Sequence, residues 1–178
     1  YPTEPWEMGG PVLVGDWLFA VAPNLESVVQ LNRETGHIEN MMPTGVNAAW
    51  GTPRYLVADE GFDLTPPRIF AVGGDVIAFD PDRPTLPLWS MSEVNAEAFK
   101  SRGGLASRTG IRGRVQVARS SLVVPGIEDV LLVSRETGRV QERIEIEGPA
   151  NPALVGPQLL LGQNAQVTAL MPAAANCS

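Results

Sequence analysis

Short apolar runs recur along the chain at similar intervals. In residues 27–36 and 129–138 the run leads directly into the same tetrapeptide, Arg-Glu-Thr-Gly. Residues 75–84 and 166–172 contain comparable runs, so the pattern repeats about every 40 to 50 residues. Runs of four to six apolar residues bounded by Gly, Pro, Asn and Asp are typical of β-strands. The repeat therefore predicts a series of similar β-units.

Each unit contains further predicted strands around the repeated run. The predicted strands of the four units are 11–15, 17–21, 28–31 and 37–41; 54–58, 68–72, 76–79 and 86–90; 114–118, 122–124, 130–133 and 139–146; and 152–156, 159–161 and 167–170. The second and third strands are almost continuously apolar, as expected when both faces of a sheet are covered, whereas 139–146 alternates. These features predict an all-β chain, a β-propeller with about four blades of four antiparallel strands, as part of a larger ring or assembly.

The count of strands predicts how the chain is organised. The predicted boundaries are an orphan outer strand or linker at 1–10, blade 1 at 11–47, blade 2 at 48–91, a basic insert at 92–112, blade 3 at 113–148, a partial blade 4 at 149–172 and a tail at 173–178. The segment Pro5-Trp6-Glu7-Met8 is similar to Leu88-Trp89-Ser90-Met91, which favours an outer strand at the front. That strand could complete the fourth unit and close a four-bladed ring, or it could belong to a larger ring. An unclosed array exposes strand edges that assembly normally covers.

Composition and charge narrow the classes of function. The 178 residues are 44% hydrophobic and 19% charged, which is ordinary for a folded domain, and the sequence predicts no membrane-spanning segment. The net charge of −7 argues against a general role on nucleic acid or anionic membrane. The chain begins with Tyr1 and has no signal-peptide pattern there, so we expect a processed form or a piece of a longer protein.

The basic insert is the main departure from the repeat. Residues 100–119 contain six bases and no acid. The candidate partner-binding residues are Lys100, Arg102, Arg108, Arg112 and Arg114. Segments inserted between blades project from a rim, where propellers bind partners, although a solvated loop that balances nearby acids is the simpler interpretation. We also expect two helical turns at 93–100, capped by Ser92 and ended by Gly103-Gly104.

The sequence contains no convincing set of catalytic or metal-binding residues. Asp59 and Asp63 are weak candidates for a Ca²⁺ loop, but the twelve-residue ligand pattern around them is missing, so we predict no metal site. His37 is the single histidine, and Ser134 is not in a nucleophile elbow, so we predict no catalytic residues. The single cysteine, Cys177, cannot form an internal disulfide.

The turn after the repeated strand suggests a family. An apolar strand, then Asn or Asp with Thr-Gly, then an outer strand with Trp, resembles the pyrroloquinoline-quinone-like propeller repeat. Residues 31–36, 76–80 with 88–89, and 133–138 match this pattern in three units. In the turn itself, an Asn or Ser side chain is expected to bond the following backbone, and Gly supplies a positive φ before the outer strand.

The resemblance implies one of two functions. Its family includes quinoprotein dehydrogenases, which hold the quinone between a Trp and a vicinal disulfide, and non-catalytic scaffolds. Because this chain has one cysteine, the vicinal disulfide cannot form, and we expect no cofactor. We therefore predict a non-enzymatic scaffold or protein-interaction module that belongs to an extracytoplasmic assembly, in the periplasm or cell envelope. The expected partners are other protein chains, either another propeller half or a second copy of this chain. The alternative is a fragment or subunit of a quinoprotein dehydrogenase that depends on pyrroloquinoline quinone.

Overall fold

A computed structural model of this chain describes residues 9–22, 27–43, 53–61, 65–100, 111, 113–148, 150–156, 158–163 and 166–170. Within these ranges the chain is built from short β-strands and two short helices. The orphan strand and the tail predicted at the two ends fall mostly outside the described residues, as do Trp6, Trp50 and Cys177. None of the helices in these ranges is long and apolar enough to cross a membrane.

The strands form four antiparallel sheets in chain order. Sheet 1 contains β1 (Val12–Val14), β2 (Trp17–Val21), β3 (Ser27–Asn32) and β4 (Ile38–Pro43). Sheet 2 contains β5 (Tyr55–Asp59), β6 (Arg68–Val72), β7 (Val76–Phe79) and β8 (Pro87–Ser90), followed by α1 (Met91–Val94) and α2 (Ala96–Lys100). Sheet 3 contains β9 (Gln116–Val117), β10 (Ser121–Pro125), β11 (Asp129–Ser134) and β12 (Val140–Glu145). Sheet 4 contains β13 (Asn151–Val155), β14 (Gln158–Gln163) and β15 (Gln166–Leu170).

The prediction of an all-β chain with about four propeller units is confirmed. Each sheet is a meander in which sequential strands pair, and the first strands of successive sheets contact one another, β1 with β5, β5 with β9, and β9 with β13. A row of first strands with the other strands fanning outward is the arrangement of propeller blades around an axis. The exact boundaries drawn between the units stay predictions.

Three apolar clusters join the four sheets face to face. Phe19 and Phe79 lie between sheets 1 and 2, Phe70 and Leu122 between sheets 2 and 3, and Val130 between sheets 3 and 4. These five side chains are fully buried. Burying a side chain of this size contributes about 1.5 to 3 kcal/mol, so stacking of the sheets is the main source of stability.

Strand β6 shows why the middle strands are continuously apolar. Ile69 and Ala71 belong to the cluster shared with sheet 1, whereas Phe70 and Val72 belong to the cluster shared with sheet 3. Alternate side chains of a strand point to opposite faces, so a sheet that is covered on both faces needs apolar residues at every position. The observed packing therefore explains the pattern from which the strands were predicted.

Two local predictions were wrong. The Gly73-Gly74 pair in the sequence predicts a two-residue hairpin with positive φ between the strands at 68–72 and 76–79, but these glycines do not adopt positive φ. The register pairs Val72 with Val76, so the loop has three residues, and the Asp75 carboxylate accepts a hydrogen bond from the Val76 amide. Ser92 does not cap the helix as predicted, because its hydroxyl donates to Asp75. Helix α1 instead begins after Ser90, whose hydroxyl accepts a hydrogen bond from the Glu93 amide.

The first strand of sheet 3 is shorter than predicted. Strand β9 has two residues, because the preceding segment is diverted toward sheet 2. The hydroxyl of Tyr55 donates to the carbonyl of Gly113 at 2.8 Å and accepts from the amide of Val115 at 2.9 Å. Gly113, with φ of 126°, makes this path possible. A side chain of sheet 2 therefore sets the approach of the chain to sheet 3.

Candidate functional site

The repeated turn has the same geometry in sheets 1 and 3. The side-chain oxygen of Asn32 accepts hydrogen bonds from the amides of Glu34 and Thr35, and the hydroxyl of Ser134 accepts from Thr137. The glycines that end the two turns have φ of 69° and 71°. The turn chemistry predicted from the tetrapeptide is thus confirmed in both sheets.

In sheet 3 this turn lies against sheet 2. The indole of Trp89 covers Gly138 so closely that a Cβ at this position would lie 2.6 Å from the ring. Asn95, between α1 and α2, donates to the carbonyl of Gly138 and accepts from the amide of Val140. Only glycine fits beneath the indole, so Gly138 serves both the turn and the contact between sheets.

A buried ion pair completes the same junction. The Nε of Arg135 lies 2.8 Å from a carboxylate oxygen of Asp59, at the end of β5. Both side chains are less than 10% exposed, and Arg135 also donates to the carbonyl of Arg119. The pair ties the turn of sheet 3 to β5 of sheet 2, and removing one member would leave an uncompensated buried charge.

Among the described residues, the corresponding residues of sheet 1 meet no such neighbour. Arg33, which corresponds to Arg135, is exposed and donates to the carbonyl of Gly15 at 3.5 Å, as Arg135 does to Arg119. A Cβ placed on Gly36, which corresponds to Gly138, would have nothing within 4 Å. The turn of sheet 1 is therefore built for a junction that the described residues do not complete.

The face of sheet 1 on this side is apolar. We call it the leading face of sheet 1, and the register places its members side by side: Leu13, Leu18, Ala20, Val29, Leu31, Ile38 and Met41. The side chains of Leu13, Ile38 and Met41 are 46%, 59% and 59% exposed. The opposite face is buried against sheet 2. An exposed group of large apolar side chains of this kind is typical of a protein-binding surface.

Sheet 4 presents a second apolar face at the other end of the array. This surface, the trailing face of sheet 4, contains Ala153, Val155, Leu160, Val167 and Ala169, with the polar Asn151 and Gln158 in the same rows. Val155 and Val167 are 55% and 70% exposed. The other face of the sheet carries Leu159 and Leu161, which pack on sheet 3. Both ends of the array thus expose apolar surface.

The predicted basic surface lies largely outside the described residues. Arg102, Arg108 and Arg112 fall there, and Lys100 ends α2, with only its backbone described. Arg114 is exposed just before β9. Burial raises the pKa of nearby Tyr55 above its usual value and outweighs the lowering by the hydrogen bond from the Val115 amide and by the Arg114 guanidinium. The partner-binding role of these five bases stays a prediction.

The weak metal candidates do not form a cluster in the described ranges. Asp59 is committed to Arg135 and also accepts from the Gly61 amide, and Asp63 lies outside these ranges. The described residues contain no group of three or more His, Cys, Asp or Glu side chains that could hold a metal ion. The structure therefore assigns Asp59 a structural contact.

The described residues also do not fit a quinone site. Trp89 is 7% exposed and tilted against Phe70, with ring centroids 5.8 Å apart, so it offers no free face to a planar cofactor. Trp17 packs at the margin of the cluster between sheets 1 and 2. An open cleft of about 550 Å³ beside Trp17 is lined by Arg33 and carboxylates. Its lining contains no nucleophile paired with a base.

Sequence reasoning missed the buried polar contacts and the two end faces. Asp75 accepts hydrogen bonds from the hydroxyls of Ser90 and Ser92, and this network closes sheet 2 onto α1. Arg135 and Arg33 stand in the same tetrapeptide, so the sequence does not distinguish the buried one from the exposed one. The apolar residues of β2 and β3 were predicted as buried on both faces, and only the position of sheet 1 at the end of the array leaves one face open.

The fold is similar to parts of two larger enzymes. The quinohemoprotein alcohol dehydrogenase of Comamonas testosteroni matches 77% of this chain with a TM-score of 0.53 and 15% identity. Dihydro-heme d1 dehydrogenase NirN, in complex with DHE, matches 82% of it with a TM-score of 0.53 and 10% identity. The match spans 20% and 30% of those proteins, respectively. No family model and no curated protein matches the chain. At such low identity the two similarities concern the fold, and they support its interpretation as a section of a β-propeller.

Proposed function

We propose that this chain is a non-enzymatic β-propeller scaffold, a protein-interaction module of an extracytoplasmic assembly. The observation that carries the proposal is the apolar leading face of sheet 1, with Leu13, Ile38 and Met41 exposed. Leu13 and Ile38 correspond in register to Val117 and Val140 of sheet 3, which pack at the cluster between sheets 2 and 3. A surface built like an interface between blades is suited to binding further blades. The extracytoplasmic location rests on the sequence resemblance alone.

The buried polar groups of the described chain support the same function. The Asp59–Arg135 pair joins sheet 2 to the turn after β11 of sheet 3, and the Tyr55–Val115 hydrogen bond joins sheet 2 to the segment that leads into sheet 3. Gln30 donates across sheets to the carbonyl of Pro81. Each of these contacts fixes one sheet relative to the next. A rigid array of sheets is what a scaffold requires.

The basic insert is proposed as a second partner surface. Six bases within 20 residues of an otherwise acidic chain would attract an acidic protein surface and speed association with it. The test is a triple substitution of Arg108, Arg112 and Arg114 by Gln, compared with the same substitution at the exposed Arg83 and Arg139. We expect the first variant to recover less of an acidic protein partner than the natural chain does, while its midpoint of thermal unfolding stays unchanged. Equal recovery by both variants would contradict the role of the insert.

The competing function, a quinoprotein fragment, is tested directly. Purified chain is titrated with pyrroloquinoline quinone and Ca²⁺ while quinone absorbance and tryptophan fluorescence are followed. A scaffold shows no saturable response at micromolar quinone. Saturable binding together with oxidation of an alcohol by a dye-coupled assay would overturn the proposal.

A further inference from the structure

We propose that the cleft beside Trp17, at the junction of sheets 1 and 2, binds the guanidinium group of an arginine side chain that a partner protein presents. The inference goes beyond the proposed function, because this cleft would hold its ligand whether or not the leading face of sheet 1 carries a partner. The cleft has a volume of about 550 Å³ and is lined by side chains of both sheets. That volume lies within the usual range for ligand sites, about 300 to 1,000 Å³.

The cleft lies where the next junction has its buried ion pair. The register of the first hairpins aligns Val14 of sheet 1 with Asp59 of sheet 2, and Pro81, two residues after the third apolar strand, corresponds to Arg135. Sheets 2 and 3 are joined by Asp59 and Arg135, whereas Val14 and Pro81 occupy these two positions between sheets 1 and 2 and line the cleft. A guanidinium from outside the chain would thus lie where the next junction holds its own.

The rim of the cleft is acidic. Asp16, Glu60 and Asp82 line it and are exposed, and Arg33, which donates to the carbonyl of Gly15, is the single cation among the described lining residues. No group of acidic side chains in the described ranges could hold a metal ion, so these carboxylates suit a larger cation whose charge is spread over several atoms. A guanidinium is such a cation, planar and with five N–H donors that match carboxylate oxygens.

The inner wall of the cleft suits the aliphatic part of an arginine side chain. Val14, Trp17 and Pro81 supply apolar surface there, and Trp17 is only partly buried. The methylene groups of arginine cover apolar surface while the charged end stays near water, and a guanidinium stacks on aromatic rings. Lysine shares the aliphatic part and the charge but lacks the planar fork, so the cleft should prefer arginine.

The experiment titrates the full chain with the capped peptide acetyl-Ala-Arg-Ala-amide. Binding is followed by NMR through the indole N–H signal of Trp17, which the variant Trp17→Phe assigns. We expect a saturable shift, and a peptide with the neutral isostere citrulline should bind about tenfold more weakly or worse, since charged hydrogen bonds are stronger than neutral ones. The absence of a saturable shift, or equal affinity for the citrulline or the lysine peptide, would overturn the inference.

Two double variants with the same change of charge test the place of binding. Glu60→Gln with Asp82→Asn removes two lining carboxylates and should weaken binding of the arginine peptide about tenfold or more. Glu136→Gln with Glu142→Gln removes two carboxylates outside the lining and should change the affinity by no more than about twofold. All four side chains are exposed, so both variants should fold. Similar losses in the two variants would indicate general attraction to an acidic chain and would overturn the cleft as the site.

Arg33 and free arginine give two further tests. Arg33→Gln removes the cation from the rim, so the affinity for the arginine peptide should rise about twofold or more. A fall in affinity would show that the ligand is not held as a cation and would overturn the inference. Free arginine brings its own carboxylate to the acidic rim, so it should bind more weakly than the capped peptide. Tighter binding of free arginine would assign the cleft to a small molecule and overturn the protein partner.

Discussion

The face of sheet 3 that packs on sheet 2 carries the same turn as the leading face of sheet 1 and a matching apolar row, yet among the described residues only the face of sheet 3 is covered. Arg135 and Gly138 in sheet 3 are buried by Asp59 and Trp89 of sheet 2, whereas Arg33 and Gly36 in sheet 1 are exposed. The local sequence and backbone agree, and the difference lies in the preceding sheet. A residue's contribution to stability in this repeat is therefore set by its neighbour, and corresponding residues can be compared as natural controls.

The largest difference is expected at the arginine of the turn. Arg135→Met leaves Asp59 as a buried carboxylate without its cation, which costs about 3 to 5 kcal/mol of the free energy of unfolding. Arg33→Met removes an exposed guanidinium and should change that free energy by no more than about 0.5 kcal/mol. Urea denaturation of both variants at neutral pH measures the two values. Similar losses in the two variants would show that the buried pair does not join the sheets.

A smaller difference is expected in the apolar rows. Leu122 is fully buried and pairs with Val133, whereas Leu18, at the corresponding position, pairs with Leu31 on the open face. Leu122→Ala should cost about 2 to 5 kcal/mol, because it removes buried methyl groups and leaves a cavity.

Leu18→Ala should lower the free energy of unfolding clearly less than Leu122→Ala does, when both are measured at a protein concentration so low that any partner of the face has dissociated. Thermal unfolding at two protein concentrations separates the two effects. An equal loss at high dilution would mean that the leading face of sheet 1 is packed within the single chain.

The turns and the strand pattern could be predicted from the sequence because their causes are local. Thr-Gly with a preceding Asn or Ser specifies both the side-chain hydrogen bonds and the positive φ of Gly36 and Gly138. The Gly73-Gly74 hairpin was predicted wrongly because the carboxylate of Asp75 closes a three-residue loop instead. The cap at Ser90 was missed because the same Asp75 carboxylate accepts the hydroxyl hydrogen of Ser92, the residue that was expected to cap the helix.

The candidate surfaces could not be predicted because they depend on which sheets are neighbours in the folded chain. A continuously apolar strand indicates that both faces are suited to burial, but it does not say which sheet has a neighbour on each side. Leu31 and Val133 are equivalent in the pattern, and only the position of sheet 1 at the end of the array separates them. The basic insert, in contrast, is visible as charge, and its role stays a prediction.

Substituting the glycine of the turn should give a smaller difference in unfolding free energy between sheets 1 and 3 than the substitutions above. Gly138→Ala and Gly36→Ala share the strain of a positive φ, so their difference isolates the contact with Trp89. The indole would have to move away from the new methyl group, an overpacking effect of about 1 to 3 kcal/mol. The difference in unfolding free energy between the variants measures it. A Trp89→Ala background should abolish the difference, and a difference that persists there would have another origin.

The smallest effect is expected at Tyr55, which guides the chain into sheet 3 and has a glycine, Gly9, packed beside it. Tyr55→Phe removes the acceptor of the buried Val115 amide and should cost about 1 to 2 kcal/mol at pH 7. Burial raises the pKa of the Tyr55 phenol in the folded chain, so the folded state favours the protonated form. The phenol's contribution is therefore complete below the unfolded pKa of about 10 and falls as the pH rises above that value. Denaturation between pH 8 and 11 should show this alkaline decline in the natural chain and a weaker one in Tyr55→Phe. An equal decline in both would assign it to other groups and leave Tyr55 as a purely steric guide.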